Sequence, residues 1–225
     1  MSLHLPPRSF RDGYRWMRNA EPTPTKRSPF DLDGRVHPMR ARYEFYPTPP
    51  EATRALLSVE QFDESIWEPA CGRGAISHVL EAAGHQVIST DLIQRDYGTG
   101  GMDFLRESVS RAKHIVTNPP YGRGLADAFV EHALALTRET GGTVAMLLNI
   151  ASLCHPKRHS VWVGRPPSSI YAIDDLVCWP EGNPSLARSM TAQHRYCWAV
   201  WKPGHVGRSH FWWLRMTNFT GRSSP

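Results

Sequence analysis

Four cysteines are all the chain has, Cys71, Cys154, Cys178 and Cys197, and no two of them form a Cys-x-x-Cys pair. Spacing that wide argues against both a thiolate zinc site and a disulfide framework, and predicts free thiols in a reducing compartment. The histidines show no His-Glu-x-x-His spacing, so no metal is expected. No apolar run is long enough to span a bilayer, so no membrane partner is expected. The stretch Met1 to Arg18 mixes charges and prolines and has no apolar h-region, which predicts a cytoplasmic protein rather than a secreted one. Acidic residues are missing altogether from 202–225, where four Lys/Arg stand alone.

What charge there is lies at the ends. The net charge is +5; residues 1–45 hold nine Lys/Arg against five Asp/Glu, whereas 46–201 hold 13 against 16. Basic ends around a slightly acidic core suit a polyanionic partner, DNA or RNA, or serve only to keep the chain soluble. Length fits one domain with tails. Residues 1–42, rich in Pro, Arg and Ser, read as a basic flexible arm, with Arg8, Arg11, Arg15 and Arg18 spaced either as a helical basic face or as part of a disordered one. Residues 43–205 read as the catalytic unit and 206–225 as a basic aromatic tail.

Within 43–205, strand and helix signals alternate. Thr48-Pro49-Pro50-Glu51 predicts a helix start capped by Thr48, with Ala52, Ala55, Leu56 and Val59 at helical spacing. Strands are expected at 65–68, 86–90, 114–117, 143–149, 170–177 and 195–201, with helices over 75–83 and 125–137 and a short one within 103–112. This alternation predicts an α/β fold, a mostly parallel sheet covered on both faces.

Two loops carry the chemistry. Glu68-Pro69-Ala70-Cys71-Gly72-Arg73-Gly74 lies between a strand and a helix, where glycine lets the backbone turn and approach a ligand. It lacks the Lys-Ser/Thr of a P-loop and the third glycine of a dinucleotide fold. Asp91 closes the next strand, placed to accept from both hydroxyls of a ribose. S-adenosylmethionine fits this pattern, with Glu68 near its cationic amino group. The second loop is Asn118-Pro119-Pro120-Tyr121. Two prolines fix the backbone and remove two donors, leaving the Asn118 side-chain oxygen and the Pro119 carbonyl as paired acceptors for a planar –NH₂ group. Tyr121 offers a flat face for a base. Acceptors on both amine protons favour a pyramidal nitrogen with its lone pair restored, and no strong general base is needed.

These residues resemble the amino-group DNA methyltransferases, specifically the adenine-N6 group with the gamma motif order. Glu68 to Gly74 is similar to the family's motif I, Asp91 to its second-strand acid, and Asn118-Pro119-Pro120-Tyr121 to its catalytic motif IV. Phe45-Tyr46-Pro47-Thr48-Pro49-Pro50 resembles the cofactor segment before motif I, and Met102-Asp103-Phe104 the acidic residue that contacts the cofactor's adenine. Tyr196-Cys197-Trp198-Ala199-Val200-Trp201 is similar to a late strand of small phage and prophage methyltransferases. The resemblance implies a Rossmann-like, seven-stranded class I methyltransferase sheet whose last strand is antiparallel. It also implies S-adenosyl-L-methionine as cofactor, and transfer to adenine N6 in DNA through Asn118, Pro119, Pro120 and Tyr121. The implied cofactor residues are Tyr46, Thr48, Glu68, Ala70, Cys71, Gly72, Gly74, Asp91, Asp103 and Asn118. Only 152–193 separates the fifth strand from the last, too little for the family's usual target-recognition domain. The acceptor pair recognises an amine rather than adenine as such. RNA adenine-N6 or cytosine-N4 methylation, glutamine-amide methylation in protein, and a non-catalytic nucleic-acid-binding module therefore stand as alternatives. The basic segment His155-Pro156-Lys157-Arg158-His159 either lines a groove or is solvated, and 180–184 reads as a loop. Phe211-Trp212-Trp213 either covers core or stacks bases.

Overall fold

The computed structural model describes residues 42–155, 159–183 and 195–219. The expected arm, apart from Arg42, and residues 156–158 of the basic segment lie outside the described residues.

Seven strands form one sheet: β1 (Ile66–Glu68), β2 (Val87–Ser89), β3 (His114–Thr117), β4 (Val144–Asn149), β5 (Ser169–Ile173), β6 (Tyr196–Trp201) and β7 (His210–Leu214), in the order β2-β1-β3-β4-β6-β5-β7. All pairings are parallel except those of β6, which runs antiparallel to β4 on one side and β5 on the other. The mostly parallel class I sheet is therefore as expected, and the antiparallel strand is the one read from Tyr196 to Trp201. A further strand, β7, follows where the sequence suggested only a tail.

The central strands form because both of their faces are buried, as parallel sheets require. β1, β3 and β6 are buried at every position, β4 at all but its last. Alternate side chains feed two cores. Trp67, Ile115, Val144, Met146, Leu148, Cys197 and Ala199 pack on one face against α3 (Leu125–Thr140), which presents Phe129, Val130, Ala133 and Leu136. Ile66, Val116, Ala145, Leu147, Trp198 and Val200 pack on the other, against Leu56 of α1 (Pro50–Leu57) and Leu80 of α2 (Ser77–Ala82). The indole N–H of Trp198 donates to the Ala52 carbonyl at 2.8 Å and ties α1 to the sheet.

α3 ends on Gly141, which adopts φ 63 and donates its N–H to the Thr137 carbonyl, a left-handed C-terminal cap. One expectation fails locally. Thr48 does not cap α1: Pro49 holds the cap position with no side-chain hydrogen bond, and the Thr48 hydroxyl is buried facing Asn118 instead. The expected helix within 103–112 is one 3-10 turn, Phe104–Arg106.

The chain leaves β1 for β2 on one side and places β3 on the other side of β1. The crevice beyond the C-terminal ends of β1 and β3 is thus the switch point where open α/β sheets bind ligands.

Candidate active site

The two loops read from the sequence meet in that crevice. One cavity there is lined by Tyr46 and Thr48 from the segment before α1, Glu68, Ala70, Cys71 and Gly72 from the loop after β1, Asp91 after β2, and Asn118 and Pro120 after β3. Four predicted residues stand apart from its lining: Gly74, Asp103, Pro119 and Tyr121. Gly74 turns the chain at φ 80 and makes room for the Tyr97 ring, which a Cβ there would meet at 2.6 Å. Asp103 precedes the turn at Phe104–Arg106. Pro119 is buried.

Tyr121 is turned inward rather than out as a stacking face. Its hydroxyl donates to Asn118 Oδ1 at 2.5 Å and reaches the Leu147 carbonyl at 2.9 Å, and its ring lies 6.1 Å from that of Tyr196. Burial holds its phenol well above the usual tyrosine range. A hydroxyl has one proton to give, so Asn118 Oδ1 and the Leu147 carbonyl compete for it. The other end of the Asn118 amide donates to the Tyr46 carbonyl at 3.1 Å and to Thr48 Oγ1 at 3.0 Å. Because a carbonyl can only accept, this fixes which end of the amide is nitrogen. Beside the oxygen read from the sequence as an acceptor, the Asn118 amide thus has a nitrogen that fastens the segment 46–48 beside the cavity.

Asp91 is more heavily engaged than its position in sequence suggested. Oδ1 accepts from Ile93 N at 2.7 Å and Arg95 Nη1 at 2.9 Å, and Oδ2 accepts from Gly72 N at 2.8 Å. A carboxylate oxygen has two acceptor positions, so Oδ2 retains room for a ligand hydroxyl. Glu68 is 2% exposed and accepts on Oε2 alone, from Ser77 N at 2.9 Å and from the Ser77 hydroxyl. Burial pushes its carboxyl up to about 8, against the pull of the Ser77 bonds. Cys71 is buried and its thiol is pushed up to about 12 by that burial, so it is no nucleophile at neutral pH.

A carboxyl raised in the folded state favours folding most where it is protonated in both states, below its unfolded value of 4.5, and that advantage is lost as pH rises through about 8. Thermal stability is therefore expected to fall between pH 5 and 8 through Glu68. Glu68→Gln, which cannot ionise yet offers Ser77 an acceptor, is expected to flatten that slope in melting curves. An unchanged slope would place the titration elsewhere.

Phe45, the first residue of the segment that resembles the cofactor segment, takes a place that its position in sequence did not foretell. Its ring sits against Gly72, where a Cβ would meet it at 2.6 Å, with the Arg95 guanidinium 4.6 Å and that of Arg73 5.7 Å from the ring centroid. Just before it, Tyr43 and Glu44 are held at φ 56 and 57, left-handed conformations that cost non-glycine residues about 1 kcal/mol or more each. With Phe45 in place the cavity measures about 60 Å³, space for roughly two waters and far below the ~300 Å³ or more of a nucleoside site. The polar groups suit a nucleoside that bears a cation. Asp91 Oδ2 can take a ribose hydroxyl, the Glu68 carboxyl can face an ammonium, and Leu92, Ile93 and Pro120 form apolar walls.

Sheet order, switch-point cavity and glycine loop are those of one known fold. It is the class I S-adenosylmethionine-dependent methyltransferase fold. The chain is similar to a protein from Listeria monocytogenes described as a class I S-adenosylmethionine-dependent methyltransferase, with TM-score 0.52 and 15% identity over 77% of this chain and 66% of that one. It is similar also to a protein from Vibrio vulnificus YJ016 described as a modification subunit of a type I restriction enzyme, with TM-score 0.51 and 14% identity over 85% of this chain and 50% of that one. This chain thus spans less than two thirds of the length of either neighbour. No family model matches the sequence, and no curated protein matches it. Among the described residues no group of His, Cys, Asp or Glu is placed to hold a metal, and no helix is long and apolar enough to cross a membrane.

Proposed function

We propose that this protein is an S-adenosylmethionine-dependent methyltransferase that transfers a methyl group to an exocyclic amine in nucleic acid, adenine N6 in DNA. The observation that carries the reading is the meeting of two loops: Asn118 and Pro120 line the same cavity as Glu68, Gly72 and Asp91. The likeness of the fold to a modification subunit of a type I restriction enzyme agrees with a DNA substrate.

The cofactor, held by Asp91 Oδ2, the Glu68 carboxyl and the walls at Leu92, Ile93 and Pro120, supplies a methyl group on a sulfonium. The chain's part is to present acceptors to the amine. Asn118 Oδ1 is one, and it is already polarised by the Tyr121 hydroxyl. When that hydroxyl turns to the Leu147 carbonyl, the lone pair of Oδ1 that it held is freed for a proton of the amine. The Pro119 carbonyl is the second acceptor. Fixed dipoles of this sort would stabilise the positive charge on nitrogen as the N–C bond forms and the C–S bond breaks, typically a factor of about 10²–10³ per group; the donor would leave as a neutral thioether and the surplus amine proton would pass to solvent. Tyr46 and Thr48, pinned by the Asn118 amide nitrogen, keep the donor side closed and dry.

The test is transfer of labelled methyl from S-adenosylmethionine to unmethylated DNA, followed by base analysis, with RNA and protein as parallel acceptors. N6-methyladenine in DNA is expected. Label confined to protein, or to cytosine, would refute the adenine assignment.

A further inference from the structure

β7 is the outer strand of the sheet, and four of its five residues are exposed, with only Leu214 buried. Phe211 is 41% exposed, Trp212 55% and Trp213 68%. Folded proteins normally blunt or cover an apolar edge of this kind. Alternation sets two of these rings on one face. Phe211 and Trp213 meet edge to face, centroids 5.0 Å apart, while His210 and Trp212 stack on the other. Ile170 and Ala172, their register partners on β5, are only half-buried, so the open face continues inward.

Charge selects the partner. Glu181 is the last acidic residue of the chain, and 182–225 carry six Lys/Arg with no carboxylate. Arg208 and Arg215 bracket β7, both exposed. The adjacent Asp174 is committed to the turn after β7, accepting from Met216 N at 2.6 Å. A second copy pairing antiparallel along this edge would set Arg208 of one chain against Arg215 of the other, like charge on like. Unpaired bases on a phosphate backbone suit the surface instead. Every base has a π face to stack, and each linkage carries the charge that the arginines lack. β7 runs parallel to β5, and both share the direction of β4, so the Leu214 end of this edge lies on the same side of the sheet as the catalytic loop.

We infer that the exposed edge of β7 is a docking surface for single-stranded nucleic acid, with bases stacking on Phe211 and Trp213 and flanking phosphates held by Arg208 and Arg215. The inference rests on the nucleic-acid reading above and gives the chain a hold on its substrate apart from the catalytic loop.

The test is fluorescence anisotropy of the full chain with a labelled oligodeoxynucleotide of mixed sequence, at several salt concentrations. The same sequence as RNA and as duplex DNA forms two further arms. The double substitution Phe211→Ala, Trp213→Ala is expected to weaken single-strand binding roughly tenfold or more, and Trp213→Phe to retain most of it. Arg208→Gln and Arg215→Gln are each expected to flatten the salt dependence by about one phosphate contact. Cofactor binding by calorimetry, unchanged in all variants, shows that the fold survives. Equal or tighter binding of RNA supports the surface and assigns its strand as RNA. Wild-type affinity in the double variant overturns the inference, as does an equal loss on duplex DNA. A wild-type dimer in sedimentation that the double variant dissociates overturns it too and assigns the edge to a second copy. The assay needs no methyl transfer, so the two readings fail separately. Methylated adenine with undiminished binding in the variant removes this surface alone, and ring-dependent binding without DNA methylation removes the adenine assignment alone.

Discussion

Asn118→Ala is expected to lower turnover by at least about a hundredfold. The substitution removes the oxygen proposed to face the developing charge. It also removes the donor that fastens the Tyr46 carbonyl and Thr48 Oγ1. These two losses can be separated. Asn118→Asp keeps oxygen in place but sets a carboxylate against the Tyr46 carbonyl, acceptor against acceptor. The Ala variant is therefore expected to show its effect chiefly in single-turnover rate, with cofactor affinity reduced only modestly. The Asp variant is expected to lose both, because repulsion pushes the 46–48 segment off the cavity. Single-turnover methyl transfer and cofactor titration of both variants read this directly. Wild-type turnover in Asn118→Ala would remove the catalytic role assigned to the loop.

Trp198→Ala should have the largest effect on stability. Trp198 is fully buried at the middle of β6, the strand that joins the two halves of the sheet. Truncating a buried aromatic costs about 3–5 kcal/mol in lost transfer energy and cavity. It also strands the Ala52 carbonyl that the indole N–H satisfies, about 1 kcal/mol or more. Against a total stability of ~5–15 kcal/mol, this is expected to lower the melting temperature by roughly 10 °C or more. Trp198→Phe, which keeps a ring in the cavity but loses the hydrogen bond and part of the packing, is expected to fall between. Chemical denaturation of the three proteins checks the order, and a Phe variant as unstable as the Ala variant would show that the bond outweighs the packing.

The central strands were legible because they are buried on both faces. Ile115 and Val116, or the apolar run from Val144 to Leu148, need no partner to announce a strand, and Pro119 and Pro120 mark the end of the first. β7 was not legible for the opposite reason. Four exposed residues in a row carry no core signal, and its aromatics read equally well as cover. At the site, the residues that sequence could place were those a loop brings close on its own, Glu68 with Gly72, or Asn118 with Pro120. What it could not place depends on distant partners. Thr48 reads as a helix cap until Asn118 claims its hydroxyl. Tyr121 reads as a platform until the Leu147 carbonyl and Tyr196 draw it inward. Phe45 opens a segment that can be recognised, but its own place stays hidden, since Arg73, Arg95 and Gly72 define it only once the sheet has assembled.

The position of β6 governs how the chain can come together during synthesis. β4 and β5 each wait with a bare edge until the segment from Tyr196 to Trp201 slides between them. The first two thirds of the chain can emerge from the ribosome and form local helices, yet they enclose no finished interior. Closure is a late, long-range step, so slow elongation or arrest before residue 201 would expose two hungry strand edges to chaperones or to one another.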